Sequence, residues 1–320
     1  MRLNRWILLA GVMVLSSISK ISTAGVGLAT RDLNPVLQPI YLPTQAPVNP
    51  DNGWRIDHSF YITNTLQEES ESGENLVIDV ENYRYELGFS YRKDRWLAQV
   101  NIPFAANSGG QLDGLIDSWH ELFGLPEGDR DKFPKDEFNI EYLREGIEQF
   151  SQDSDTSGLG DLSIAIGFES QNEIRYFVGI ELPTGSESDF SGNEAVDFAI
   201  WISREKRIDE EMSLYGLLGL SFPADDGTLE GLIVDEIWVA QLGLEYRFSE
   251  KLVGIAQLDL HSETIEDSDL DAFDESLQIQ LGLGFLGLFE NHRVDLFFSE
   301  DILVGTAPDI SFGARLSTGF

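Results

Sequence analysis

The chain has 320 residues, with 56 acidic against 21 basic, a net charge of −35 and no cysteine. That acidity excludes a nucleic-acid partner, whose phosphates it would repel, and the missing thiols exclude disulfides, thiolate metal sites and a cysteine nucleophile. A hydrophobic content of 42% with 30 glycines argues against a helical membrane protein and for a sheet whose wall curves or is crowded inside.

Arg2 and Arg5 precede an apolar run from Trp6 to Leu15, and Ser22-Thr23-Ala24 forms a small-residue cleavage site. The pattern predicts an export signal over 1–24, cut after Ala24. The run is too short for a spanning helix of about 20 residues, and no later stretch qualifies, so a membrane location would require a closed barrel. Residues 25–53 carry Pro35, Pro39, Pro43, Pro47 and Pro50. Proline withholds a ladder donor, so this segment is expected to be a Pro-rich periplasmic lead-in rather than a strand.

From residue 54 onward, period-two alternation sets in. Trp54 to Thr65 is the first predicted strand, followed by an acidic loop around Glu68 to Glu74. The second, Leu76 to Arg92, puts Tyr83, Tyr85, Leu87, Phe89 and Tyr91 on one face and Arg84, Glu86 and Arg92 on the other. Aromatics so dense on one face suit a lipid-facing wall with an interfacial girdle. The third strand, Arg95 to Phe104, points Trp96, Ala98, Val100, Ile102 and Phe104 outward and Arg95, Gln99 and Asn101 inward.

The alternation then fails over 105–159. Leu115, Trp119 and Phe123 share a face at helical spacing within Gln111 to Phe123, so the segment reads as a partly helical long loop that forms an extracellular lid or plug. Phe138 to Phe150 fits a strand, a hairpin arm or a second helix. Nine further strands follow, the last over Pro308 to Phe320, where Ile310, Phe312, Ala314, Leu316, Thr318 and Phe320 face one way. Long and short connections alternate if 105–159 counts as one excursion, as in an outer-membrane barrel. The fold class predicted is all-β, a transmembrane antiparallel up-and-down β-barrel of about 12 strands over 54–320. Phe320 is placed at the periplasmic rim, and the last strand is expected to pair with the first.

The inward faces collect charges of both signs: Arg84, Glu86, Arg92, Arg95, Arg175, Glu181, Asp197, Glu245, Arg247, Asp259, His261, Arg293, Asp295 and Arg315. A barrel of this size lies between side-chain-filled eight-strand barrels and the aqueous channels of 16 to 18 strands, so these charges either set selectivity or only fill and rigidify the interior. No catalytic site is expected. His261 and Ser262 are adjacent, hence on opposite faces of a strand, and neither GxSxG nor HExxH occurs. The acidic loops match no calcium-loop spacing, so no metal and no cofactor is expected.

Several stretches resemble the uncharacterised bacterial family known as domain-of-unknown-function family 3187. They are LATRDLNPVLQPIYLP (Leu28 to Pro43), LFGLPEGDRDKFPKDEF (Leu122 to Phe138), SGLGDL (Ser157 to Leu162), ELPTGS (Glu181 to Ser186), QLDLHS (Gln257 to Ser262) and FSEDI (Phe298 to Ile302). The resemblance implies a Gram-negative outer-membrane location and supplies no activity. The Leu-Pro-Thr-Gly strand end is also similar to that of outer-membrane proteins of aromatic-compound uptake. The function expected is a passive channel or porin-like uptake protein for small-molecule solutes. The alternatives are a structural or assembly barrel with a closed lumen and a lipid-active enzyme. The partners expected are outer-membrane lipids and lipopolysaccharide, and the barrel-assembly machinery through the carboxy-terminal strand.

Overall fold

Strict alternation of apolar and polar residues leaves each strand with one face for lipid and one for water, and closing the sheet removes its edges. The computed structural model describes residues 27–45, 51–110, 114, 137–288, 292–303, 306–308 and 310–320. The predicted export signal and the lid or plug residues Leu115, Trp119 and Phe123 lie outside the described residues.

Among the described residues, fifteen strands form one sheet: β1 (Gly53–Glu71), β2 (Glu74–Lys93), β3 (Trp96–Ser108), β4 (Asn139–Arg144), β5 (Ile147–Gln152), β6 (Thr156–Leu159), β7 (Leu162–Glu169), β8 (Ile174–Leu182), β9 (Asp197–Arg207), β10 (Met212–Phe222), β11 (Ile237–Arg247), β12 (Leu252–His261), β13 (Ser276–Leu286), β14 (His292–Asp301) and β15 (Ile310–Gly319). Twelve of them close the barrel, antiparallel throughout, and β4, β5 and β6 do not cross the wall. Closure is made by β15 on β1, with Arg55 opposite Gly319 and Asn64 opposite Ile310. Trp54 and Phe320 exchange backbone hydrogen bonds at the end of that seam.

The outer wall is apolar, with Ile166, Val178, Leu218 and Leu242 each about 60% exposed. Aromatic residues gather at its two rims. Trp54, Trp96, Phe168, Tyr176, Tyr246 and Phe248 are exposed at the end with the short turns, and Phe104, Phe198, Phe222 and Trp238 at the other. Indole and phenol rings suit the membrane interface because one end is apolar and the other polar. Inside, glycine makes room for rings from neighbouring strands. A Cβ on Gly243 would lie 2.0 Å from the Tyr215 ring, and one on Gly313 would lie 2.2 Å from that of Phe297. These side chains therefore lie flat across the adjacent strand, and only glycine fits beneath them.

Two expectations need correction, and of the readings left open for Phe138 to Phe150 the hairpin arm holds. The connection between the first two spanning strands is not a long loop: β1 and β2 run on as a ladder to Glu71 and Glu74, closed by Ser72 and Gly73 at positive φ. Residues 68–74 carry four glutamates and no large apolar side chain, which is why the stretch read as loop by composition. The Phe138 to Phe150 region is neither helix nor spanning strand. It is a hairpin, β4–β5, with β4 laid along Glu74–Asp79 of the extended β2. The Pro-rich segment, expected as a periplasmic lead-in, is buried inside the barrel from Asp32 to Leu42.

At the long-loop end these parts form a cap. Leu76, Ile78, Ile140, Tyr142, Phe150, Leu232, Ile233, Ile265 and Phe273 pack into one buried cluster with Val36, Leu37 and Ile40 of the amino-terminal segment. Glu74 ties the cap together. Its carboxylate accepts hydrogen bonds from Tyr142, from Arg144 Nε at 3.1 Å and from the Asp269 amide at 2.8 Å. Burial alone would raise this carboxyl, but those donors hold it below its ordinary value. The Tyr142 hydroxyl is correspondingly pushed up to about 12, by its burial and by its bond to Glu74.

Candidate functional site

The amino-terminal segment holds its own shape before it meets the wall. Asn34 caps a single 3-10 turn at Pro35–Leu37, its Oδ1 accepting from the Val36 amide at 3.1 Å. Arg31 crosses the bend, and its Nη2 donates to the carbonyls of Leu37 at 2.8 Å, Gln38 at 3.3 Å and Ile40 at 2.5 Å. Proline suits this path because a chain that joins no ladder loses nothing by lacking an amide donor.

The wall grips it mostly from one side, through β9 to β13. Gln257 takes the centre. Its Oε1 accepts from the Leu28 amide at 3.0 Å and from the Tyr215 hydroxyl at 2.8 Å. Its Nε2 donates to Leu28 O at 3.1 Å, to Thr30 Oγ1 at 2.8 Å and to Asp259 Oδ1 at 2.8 Å. Thr30 in turn donates to Asp259 at 2.6 Å. Asp32 meets His261 Nε2 at 3.2 Å and Gln278 Nε2 at 2.8 Å. On the return limb, Ser221 donates to Tyr41 O, and the Gln45 amide donates to Gln241 Oε1 at 2.5 Å. From β1, Tyr61 donates to Ala29 O at 2.9 Å.

The segment is thus an eccentric plug. On its other flank, towards β1, β2, β3, β7 and β8, a cavity of about 100 Å³ remains. Arg31, Tyr41 and Pro43 of the plug line it, facing Glu86, Asn101 and Glu181 of the wall. Cross-strand register carries this lining round the barrel: Arg315 is opposite Ser59, Ser59 opposite Glu86, Asn101 opposite Ser163, and Ser163 opposite Glu181.

Most of the charges read as inward are buried or half-buried and form paired sets. Arg84 donates to Glu86 at 2.5 Å. Arg92 and Arg175 share Glu169, at 2.5 and 2.9 Å, near the short-turn end. Asp295 lies between Arg293 and Arg315, at 2.7 and 2.8 Å, and Arg293 also reaches Glu245 at 2.7 Å. Asp197, Asp259 and His261 are buried, with Asp197 accepting from the Ala224 amide at 2.8 Å. Arg247 is half-buried at the end of β11. Arg95 is the exception. It sits exposed in the two-residue turn with Asp94, because β3 begins one residue later than the charge pattern suggested. His261 makes no bond to the Ser262 hydroxyl: its Nδ1 lies 2.8 Å from Ser262 O, and that hydroxyl accepts instead from the Trp238 amide.

Sequence reasoning missed the neutral groups that hold the plug, Tyr215, Ser221, Gln241, Gln257 and Gln278. A search for charges passes over glutamine. The signal that was available is an amide on the inward parity of three successive strands, β11, β12 and β13, where a water-filled lumen alone would not require one.

With the barrel and its plug described, comparison with other proteins places the chain. The family model described as "Protein of unknown function (DUF3187)" matches residues 6–320. The chain belongs to this family. No curated protein matches it. Among solved structures it is similar to the COG4313 outer membrane channel from Pseudomonas putida F1, with TM-score 0.56 and 16% identity over 88% of this chain and 98% of that one. Looser similarities include the CymD monoaromatic hydrocarbon channel, at TM-score 0.41 and 11% identity over 90% and 91% of the two chains. The Pseudomonas putida toluene transporter TodX stands at 0.41 and 9% over 84% and 89%. At these identities the first shares the fold alone with the DUF3187 chain, and the looser two carry no further inference.

Proposed function

We propose that this protein is an outer-membrane channel for small solutes, with a path that runs beside its amino-terminal plug rather than through the barrel axis. The observation that supports this most is the one-sided attachment of the plug. Most of its hydrogen bonds to the wall run to β9–β13, while the opposite flank is a polar cavity. A plug that served only to fill the barrel would be expected to be gripped all round. The rim aromatics and the apolar wall support insertion in the outer membrane, among its phospholipids and lipopolysaccharide. β15, ending beside Phe320, is the element that the barrel-assembly machinery would engage. Residues 1–24 would direct export and be removed.

The test is conductance in planar bilayers for the wild type and for a variant lacking 27–45. Small or rare openings in the wild type and a large steady conductance in the deletion are expected. Silence in both defeats the channel. A closed structural barrel is the second reading, and one observation favours it: the apolar cap, which joins Val36 and Leu37 to Leu76, Tyr142 and Phe273 over the long-loop end. Silence in the wild type with conductance in the deletion would fit that reading.

A further inference from the structure

The cavity contains a carboxylate that its own surroundings do not satisfy. Four acidic side chains line it, Asp57, Glu86, Asp161 and Glu181. Asp57 is met by Arg55 at 2.9 Å and Glu86 by Arg84 at 2.5 Å. Asp161 accepts backbone amides from Thr184 at 2.8 Å, Gly185 at 2.7 Å and Asn193 at 3.0 Å. Glu181 is only 5% exposed, and its Oε2 accepts no hydrogen bond from the described residues.

Three cations, Arg31, Arg84 and Arg315, line the cavity with Glu181, but none of them bonds its Oε2. Directly across the ladder stands Asp197, a second carboxylate, whose oxygens are already taken by the Ala224 amide, the Asn193 side chain and the Tyr41 amide. Arg31 has Nη2 committed to three carbonyls of the plug, and Arg84 is committed to Glu86. An unsatisfied buried acceptor costs about 1–3 kcal/mol, more when charged, and calls for a donor such as a water, an ion or a ligand. Trp201 lines the same cavity, its ring stacked on Phe177 at 5.0 Å. An indole and a carboxylate oxygen without a donor, lining one cavity, suit an organic ammonium group.

We infer that Glu181 is the specificity-determining residue of this path, and that the favoured solutes are small organic cations carrying a protonated amine. The ammonium donates to Glu181, and its short alkyl part lies against Trp201 and the prolines of the plug and wall, Pro43 and Pro103. This rests on the channel reading for transport, although binding at the cavity does not need an open path.

Two measurements on the full chain separate the claims. Reversal potentials in an ethylammonium chloride gradient should show ethylammonium preferred over chloride, with the preference lost in Glu181→Gln and kept in Glu181→Asp. Calorimetry with butylammonium on the detergent-solubilised barrel should show binding in the wild type weakened about tenfold or more in Glu181→Gln, the loss of one charge-assisted hydrogen bond. Unchanged selectivity and unchanged binding in a Glu181→Gln barrel that still runs as folded before boiling would overturn the inference and leave the channel standing. Silence in bilayers with Glu181-dependent binding would sink the channel and keep the site.

Discussion

Gln257 makes the sharpest demand on the plug. Replacing it with leucine, apolar and one methylene shorter, removes the bonds to Leu28 N, Leu28 O and Thr30 Oγ1 while leaving the β12 backbone ladder untouched. At a net worth of about 1 kcal/mol each, the docked plug loses about 3 kcal/mol, roughly a 150-fold shift towards the undocked state. Water entering the lumen recovers part of this, leaving at least about a tenfold shift. The chain has no cysteine, so Ala29→Cys on the plug would be its one thiol. Labelling by a membrane-impermeant maleimide should run at least tenfold faster in the Gln257→Leu background, while heat-modifiable mobility stays unchanged. A rate within about twofold of the Ala29→Cys parent, with both barrels folded, would mean that the amide network does not hold the plug.

Other consequences follow from the same contacts. Valine at Gly243 would collide with the Tyr215 ring, so Gly243→Val should cost about 1–3 kcal/mol of overpacking. Because Tyr215 bonds Gln257, it should also speed Ala29→Cys labelling; a destabilised barrel with unchanged labelling would separate the two. Asp295→Asn leaves Arg293 and Arg315 buried without their shared carboxylate, and should lower stability by about 3–5 kcal/mol, read as an earlier urea midpoint on folded-versus-unfolded gels. The cap should depend on pH through Glu74. Its folded-state value is depressed, so the stabilisation is full above the unfolded value of about 4.3 and fades as pH falls through the folded one. Hydrogen exchange in β4 and around Asp269, corrected for its intrinsic pH dependence, should accelerate below about pH 4. Glu74→Gln should abolish that step, and an identical step in the variant would assign it elsewhere.

The wall was legible because its physics is local. An outward Leu218 and an inward Leu217 differ by one position, and two solvents on two faces impose that parity on every strand. The closing seam was legible for the same reason, since Ile310 to Phe320 leaves little choice of register. What stayed hidden depends on contacts between distant residues whose types carry no periodic signal. Leu28 and Gln257 are 229 positions apart, and a proline-spaced coil looks alike whether it hangs in the periplasm or threads a lumen. The inward charges are a separate case. Both signs on the inner faces imply a network of paired charges, and Arg84, Arg293 and Arg315 are each met by a neighbouring carboxylate, two of them two residues along the same strand face. Pairing of that kind braces the wall and leaves little field in the lumen. It follows that selectivity should be sought in the exceptions to pairing. Glu181 stands out among them because it combines burial, an unsatisfied acceptor and a place on the open flank of the plug.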